Sequence, residues 1–245
     1  MKLASRSLGQ LAQRGLSMVE LMVGITVGLI VTAGAAMVAT KQINEHRRLM
    51  LEVQLQQDLR IAADLLQRDF RRAGYRGAPA SGVWEPAHVE NGLMVPAIEA
   101  ASSPYAEVDH TLGTSEIYYR YAKPATGTTA MNESNVLQDN EKFGIKLSNK
   151  TLFIKLGEVG GQANWQAITD PDSVSIESFE PNVVAQQIPL DDVCNCPAGP
   201  GSCPTQTVRR VNFKIVGVAK FDSSVKRTLT VSEKIRTDDL SEVCQ

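Results

Sequence analysis

The chain has 245 residues, of which 43% are hydrophobic and 21% are charged, and its formal net charge is −2. This length allows one domain with an extension, or two small domains. Lys2, Arg6 and Arg14 are the charged residues among the first 15, which leaves −5 for residues 16–245. A mildly acidic body argues against a general nucleic-acid binder, because such proteins need a basic surface.

A long apolar run follows the basic N-terminus. Residues 21–39 read LMVGITVGLIVTAGAAMVA and carry no charge. As a helix, this run covers about 28 Å, close to the thickness of a bilayer hydrocarbon core. We therefore predict a transmembrane helix over residues 16–40, with its basic N-terminal flank in the cytoplasm and the rest of the chain outside. Gly24 and Gly28 have the spacing that permits close helix approach, although glycine is common in membrane helices.

Glu20 is the residue that a plain membrane anchor leaves unexplained. A charged side chain in a membrane helix costs about 2.5–3.5 kcal/mol at the centre and less near the interface, so Glu20 is a functional candidate. A secretory signal peptide is a poorer alternative, because the apolar stretch is too long and no small-residue cleavage site leads to a natural mature start. An uncleaved signal anchor fits the apolar run, but it accounts neither for Glu20 nor for the residues around it.

Residues 14–20 read RGLSMVE. This run resembles the leader signal of type IV prepilins and type II secretion pseudopilins. In that family a prepilin peptidase cleaves after the glycine and methylates the new terminal amine. The resemblance therefore implies a leader over residues 1–15, cleavage between Gly15 and Leu16, and N-methylation of Leu16. It also implies that Glu20 pairs with the terminal amine of a neighbouring subunit during assembly, and opposite charges in an apolar bundle do attract strongly.

The helix is predicted to continue beyond the membrane, within a helical segment over residues 16–77. No proline or glycine occurs from Lys41 to Ala73, and Gly74, Gly77 and Pro79 then stop the helix. Apolar residues recur every three or four positions, which predicts an amphipathic helix packed on a globular head, with a coiled-coil seam as the alternative. This apolar stripe consists of Leu51, Leu55, Leu59, Ala62, Leu66, Phe70 and Ala73.

Residues 65–77 read LLQRDFRRAGYRG. This segment resembles the helix end of minor pilins of the PilW type. Many members of that family have a cysteine directly after it, whereas this chain has Ala78, so a disulfide between helix end and head is not carried over. We expect the arginines at positions 68, 71, 72 and 76 to form a solvated helix end.

Residues 78–245 are predicted to form a β-rich globular head. Residues 78–112 have no clear period and are expected to form loops. Alternating apolar residues predict strands at 116–121, 151–156, 173–179, 208–218 and 227–235. The last two strands are expected to form a hairpin joined through residues 221–224. The predicted class is α+β and pilin-like, with a long helix packed on an antiparallel sheet.

Four cysteines lie late in the chain, at positions 194, 196, 203 and 244, and three of them fall in a Cys-rich loop over residues 191–206. An even number of clustered cysteines predicts disulfides in an oxidising compartment, with a zinc site as the less favoured alternative. Cys194 and Cys196 are the least favourable pair, because one intervening residue closes a strained ring. We expect one of these two to bond Cys203 and the other to bond Cys244.

The sequence has none of the common catalytic motifs, so we expect no enzyme activity, no metal and no cofactor. His46, His88 and His110 are isolated and are expected to be surface residues. Acidic pairs occur at positions 170 and 172, 191 and 192, and 238 and 239. Calcium binding is conceivable there, but we expect ordinary surface acids.

The resemblance implies a minor pilin that helps to initiate a type IV pilus. Its implied partners are the prepilin peptidase, other minor pilins, the major pilin, inner-membrane platform proteins and a tip adhesin. The implied location is the inner membrane, with the head in the periplasm, and then the extracellular pilus. A GspJ-like minor pseudopilin of type II secretion is the first alternative. A membrane-tethered adhesive or DNA-binding module is an alternative of another class.

Overall fold

The computed structural model describes residues 17–77, 79, 88–96, 103–124, 136–190 and 205–241. It contains a 53-residue helix, α1, from Met18 to Phe70, followed by ten described strands. The strands are β1 (His88–Glu90), β2 (Leu93–Val95), β3 (Glu116–Arg120), β4 (Lys142–Ser148), β5 (Thr151–Val159), β6 (Gln162–Ala167), β7 (Val174–Pro189), β8 (Thr205–Ala219), β9 (Asp222–Lys234) and β10 (Asp239–Ser241). The predicted α+β, pilin-like class is confirmed.

The strands of the head are antiparallel and form two four-stranded sheets and a small hairpin. The first sheet has the order β3-β4-β5-β6. In the second sheet, β8 pairs with β7 on one side and with β9 and β10 on the other. Strands β1 and β2 form the separate hairpin. The two larger sheets are joined by a backbone hydrogen bond, because Ile176 at the start of β7 donates to the carbonyl of Lys150 in the β4–β5 turn.

The chain divides into two compact units, Met1–Leu49 and Met50–Gln245. Within the second unit, α1 packs on the sheets through the predicted apolar stripe. Leu51 is half-buried and the other six stripe residues are buried. Burying these side chains stabilises the unit, since each large aliphatic residue contributes about 1.5–3 kcal/mol. The interpretation of the stripe as a helix–head contact is confirmed.

Phe70 occupies the centre of the core, where α1 meets both sheets. Its ring centroid lies 5.2 Å from that of Tyr119 in β3 and 5.7 Å from that of Phe213 in β8. The close approach of helix and second sheet depends on Gly217, because a Cβ there would stand 2.9 Å from Leu59 Cδ2. The core is therefore built where one helix face covers two sheets.

The structure differs from the prediction at several element boundaries. Helix α1 ends at Phe70 instead of Ala73, because residues 71–74 form turns and Gly74, at φ 79°, donates its N–H to the carbonyl of Arg120. Strands β7 and β9 are longer than predicted, and β9 begins at Asp222, so Lys220 and Phe221 form the hairpin turn. Residues 205 and 206, assigned to the Cys-rich loop, belong to β8.

The short strands β1, β2 and β10 were not predicted, and neither were the longer strands β4 and β6. Gly144 interrupts the apolar pattern of β4, although the structure requires it because a Cβ there would lie 2.6 Å from the Tyr118 ring. Strand β6 reads QANWQA, in which polar residues alternate with Ala163, Trp165 and Ala167, but the run is short and its two alanines are weak strand formers. It pairs with β5 through a ladder of backbone hydrogen bonds.

Candidate functional site

The apolar part of α1 is the first candidate site. Glu20 lies in the first turn of the helix, where the helix dipole favours a negative charge. The surrounding apolar side chains are exposed, including Val19 at 67% and Met22 at 68%. A carboxylate therefore stands on an apolar helical surface that the described part of the chain does not cover.

The polar side chains of this apolar stretch satisfy their hydrogen bonds within the helix. Thr26 donates to the carbonyl of Met22 at 3.0 Å, and Thr32 donates to the carbonyl of Gly28 at 2.7 Å. Internal bonds of this kind suit a segment surrounded by lipid, where no water is present to accept them. Within the described residues, the Glu20 carboxylate accepts no hydrogen bond of this kind.

The glycines of the same stretch leave open notches on the helix. An added Cβ at Gly24, Gly28 or Gly34 would meet no heavy atom within 4 Å. Gly24 and Gly28 lie four residues apart on one face, as a close helix–helix contact requires. The notches are therefore available to a neighbouring helix.

Most of the other predicted site residues lie outside the described part of the chain. Gly15, Leu16, Cys194, Cys196, Cys203 and Cys244 all do so, and their cleavage, methylation and disulfides stay predictions. The predicted boundaries at residues 15, 77 and 78 also stay predictions. Among the described residues, no group of three or more His, Cys, Asp or Glu side chains is placed to hold a metal.

The described acidic pairs have protein partners. Asp170 Oδ1 accepts the backbone N–H of Asp172 at 2.9 Å. Asp238 accepts from Gln206 at 2.8 Å, and Asp239 pairs with Arg209 at 3.2 Å. These carboxylates hold a turn and the β10 segment in place.

A groove in the head is the second candidate site, and the sequence analysis did not find it. It has a volume of about 680 Å³ and lies between the last turns of α1 and the first sheet. Its floor includes the stacked rings of Tyr121 and Phe143, with centroids 3.8 Å apart. Leu65 and Tyr75 at the groove remain 38% and 46% exposed.

Asp69 forms one wall of the groove and binds two tyrosines. Tyr119 donates its hydroxyl to Asp69 Oδ2, and Tyr121 donates to Oδ1 at 3.1 Å. Burial raises the pKa of the Asp69 carboxyl, and the two tyrosine hydrogen bonds oppose that rise. The carboxylate therefore holds Tyr121 in a fixed position at the groove. In the sequence, Asp69 lies in the segment over residues 65–77 that resembles PilW-type minor pilins, but its contact with the two tyrosines was not predicted.

A second contact joins the end of α1 to β9. Arg68, Arg71 and Arg72 are exposed, as expected for a solvated helix end, and Arg71 also has a protein partner. Arg71 donates to Glu233 at 2.8 and 3.2 Å, and Gln67 donates to the same carboxylate at 3.2 Å. Arg71 holds the pKa of Glu233 below its usual range. Arg72 lies beside Asp69 and Tyr121 at the groove.

We expect this contact to make the stability of the head depend on pH, with a loss of stability in acid. A carboxyl with a lowered pKa in the folded state stabilises that state above its unfolded pKa, and the benefit disappears as pH falls through the folded pKa. Glu233→Gln should lower the urea midpoint at pH 7, and the difference from the wild type should vanish below the usual glutamate range near pH 4.5. Equal midpoints at pH 7 would contradict this account. Glu180→Gln, in an exposed pair with Lys214 at 3.4 Å, is the control and should change the midpoint less.

An apolar N-terminal helix that is long enough to cross a bilayer, and that continues into an antiparallel β head, defines a pilin-like protein with one candidate membrane span among the described residues. Residues 48–236 match the family described as prepilin peptidase-dependent protein B. The chain therefore belongs to the prepilin peptidase-dependent protein B family. No curated protein and no solved structure matches the chain significantly.

Family membership agrees with the prediction that this chain is related to pilins and is processed by prepilin peptidase. It supports a pilin-related protein that depends on prepilin peptidase, which is consistent with that enzyme as a partner. The apolar helix is consistent with a single-pass membrane anchor. The family match begins at residue 48, so the evidence for Glu20 comes from the signal-like run and from its position on α1.

Proposed function

We propose that the protein is a minor pilin of the PilW type, incorporated in a type IV pilus and helping to initiate its assembly. The observation that carries this proposal is the position of Glu20 on the exposed apolar part of α1. Lipid suits the apolar side chains but not the carboxylate. A positive terminal amine on a neighbouring subunit offsets that cost, and the notches at Gly24 and Gly28 allow a neighbouring helix to approach closely.

The partners proposed for this subunit are other minor pilins, the major pilin, inner-membrane platform proteins and a tip adhesin. The resemblance of residues 65–77 to PilW-type minor pilins supports this choice. We propose that the N-terminus is cytoplasmic and that the head is periplasmic until the subunit enters the pilus. Basic residues ahead of the apolar run support this topology. In this role the protein is a structural subunit and not an enzyme.

Analysis of the N-terminus of the membrane-extracted protein tests the proposal. We expect the mature chain to begin with N-methylated Leu16. Gly15→Arg should leave the precursor uncut, because the peptidase is proposed to recognise the glycine before the cleaved bond. Gly9→Arg adds the same charge elsewhere in the leader and should be processed normally. Chains that begin at Met1, or after a small residue such as Ala36, would contradict the proposal.

A second readout separates the pilus from a secretion pseudopilus. The protein should be present in filaments sheared from the cell surface. Its deletion should reduce surface pili and leave exoprotein secretion intact. The opposite pattern, with pili intact and secretion lost, would assign the protein to type II secretion.

A further inference from the structure

Within the described residues, β6 is an edge strand whose outer side is open. The N–H of Ile168 donates to the carbonyl of Leu152 in β5, so the backbone groups of Gln166 also point toward β5. Backbone direction alternates along a strand, and the N–H and C=O groups of Trp165 and Ala167 therefore point outward. Within the described ranges, β6 pairs with no strand except β5.

This edge lacks two of the features that usually block unwanted pairing, charge and proline, although a β-bulge interrupts its pairing with β5 between Lys155 and Glu158. Charged residues, prolines and covering segments protect most edge strands, but Gln162–Ala167 contains no charge and no proline. The other long edges are protected in part. Backbone bonds from Gly74 to Arg120 and from Ala122 to Tyr75 cover the end of β3. Charged side chains line β9. Pro181 and Pro189 interrupt β7, but residues 182–188 between them carry no charge and no proline, so the groove beside β6 is what distinguishes the β6 edge.

The groove lies directly beside the open edge. Gln166 and Ala167 of β6 line it on one side, and Leu65 of α1 lines it on another. Its floor is apolar and aromatic, and Leu156 there is 36% exposed. An extended segment paired with β6 would therefore find space for apolar side chains at alternate positions, as in recognition by strand addition.

The charges at the groove indicate which side chain would complement it. Arg72 and Lys123 both line the groove, and the one carboxylate among its lining residues is Asp69, which already binds two tyrosines. The described lining thus has one more positive than negative charge. A carboxylate on the bound segment would complement this excess.

We propose that the open edge of β6 and the adjoining groove bind an extended segment of a different pilin subunit, one with alternating apolar side chains and a carboxylate. A second copy of this chain fits less well. Pairing β6 with itself would bring only Gln, Ala, Asn and Trp side chains to the grooves, and it would place two cationic rims together. Self-pairing would also close into a dimer, which ends growth instead of extending it. The inference rests on the proposed function, because it requires that the chain meets other pilins.

The first experiment measures how much full-length protein enters sheared pili relative to its amount in cells. Ala167→Pro removes one outward N–H and leaves the bonds to β5 in place, so we expect a loss of at least about ten-fold. Arg72→Glu reverses a groove charge and should give a similar loss, which Arg72→Lys should restore. Arg68→Glu is the matched control, since Arg68 is in the last turn of α1, four residues before Arg72, but does not line the groove.

Thermal unfolding of each purified full-length variant in detergent separates docking from folding. If Ala167→Pro unfolds at a clearly lower temperature, the comparison of Arg72→Glu with Arg68→Glu decides the question. Equal incorporation of both arginine variants would then overturn the proposal. Normal incorporation of a stably folded Ala167→Pro would overturn it as well.

A photoreactive benzophenone side chain in place of Ala167 identifies the occupant in piliated cells. We expect a cross-link to an extended, acidic and apolar segment of another pilin, mapped by mass spectrometry, and we expect Arg72→Glu to abolish it. Cross-links to a second copy, or to another part of the same chain, would overturn the proposal. Failure of leader cleavage would contradict the proposed function, whereas a wrong cross-linking partner in a normally cleaved subunit would contradict only the docking site at β6. The two outcomes are therefore distinguishable.

Discussion

Glu20→Gln is expected to produce a subunit that is cleaved normally but is at least about ten-fold depleted from filaments. Glutamine keeps the size of the side chain and one acceptor oxygen, replaces the other oxygen with an NH2 donor, and removes the charge. Membrane insertion should not suffer, because an uncharged residue costs less in lipid than a carboxylate. What is lost is the attraction between this carboxylate and a terminal amine in an apolar bundle. The ratio of filament protein to mature membrane protein, on immunoblots, is the measurement.

Glu45→Gln is the matched control for this substitution. Glu45 lies on the same helix and is also exposed, but it follows the apolar run. Its loss should leave both cleavage and incorporation unchanged. Normal incorporation of Glu20→Gln would show that the charge is dispensable, and the proposed assembly contact would have to be abandoned.

Phe70→Ala is expected to destabilise the head by about 3–5 kcal/mol, the range for removing a fully buried aromatic side chain. Phe70 has no exposed surface, and its ring contacts Tyr119 in one sheet and Phe213 in the other. The cavity would open where the helix and both sheets meet, so neither sheet alone can close it by a local shift. Urea unfolding of the full-length protein in detergent, followed by tryptophan fluorescence, measures the effect.

Ile61→Ala tests whether the location and not the loss of volume causes the effect. Ile61 is on the same helix but is 58% exposed. Exposed substitutions usually change stability by less than about 0.5 kcal/mol. Similar losses for both variants would mean that Phe70 is not the centre of the core.

The proposed docking site and the proposed membrane contact lie in different parts of the chain. The pairing of Glu20 concerns entry of the helix into a bundle of other helices. Strand addition at β6 concerns the head, which is a separate compact unit. Two contacts on one chain act together through their effective concentration, so each can be weak by itself. This arrangement explains why we expect either substitution alone to reduce incorporation strongly.

Parts of the molecule that depend on local patterns could be predicted from the sequence. The uncharged run at residues 21–39 is long enough to predict a membrane helix without any knowledge of the head. The apolar spacing from Leu51 to Ala73 predicted which face of α1 is buried, because a helix places residues three or four apart on one side. Glu20 could be identified as a functional candidate for a similar reason, because the free-energy cost of its charge depends on its immediate apolar neighbours.

The groove and the open edge could not be predicted in the same way. Asp69 and Tyr121 are far apart in the chain, and only the packing of α1 against β3 brings the carboxylate to the hydroxyl. The QANWQA stretch became an edge strand because β5 was available to pair with it, and its short alternation of polar and apolar residues is only a weak signal by itself. The sequence by itself determined the long apolar helix, its buried face and the α+β class, because these follow from residues close together along the chain. Tertiary structure alone decided the groove, the tyrosine–aspartate contact and the unprotected edge, because each depends on which distant segments become neighbours.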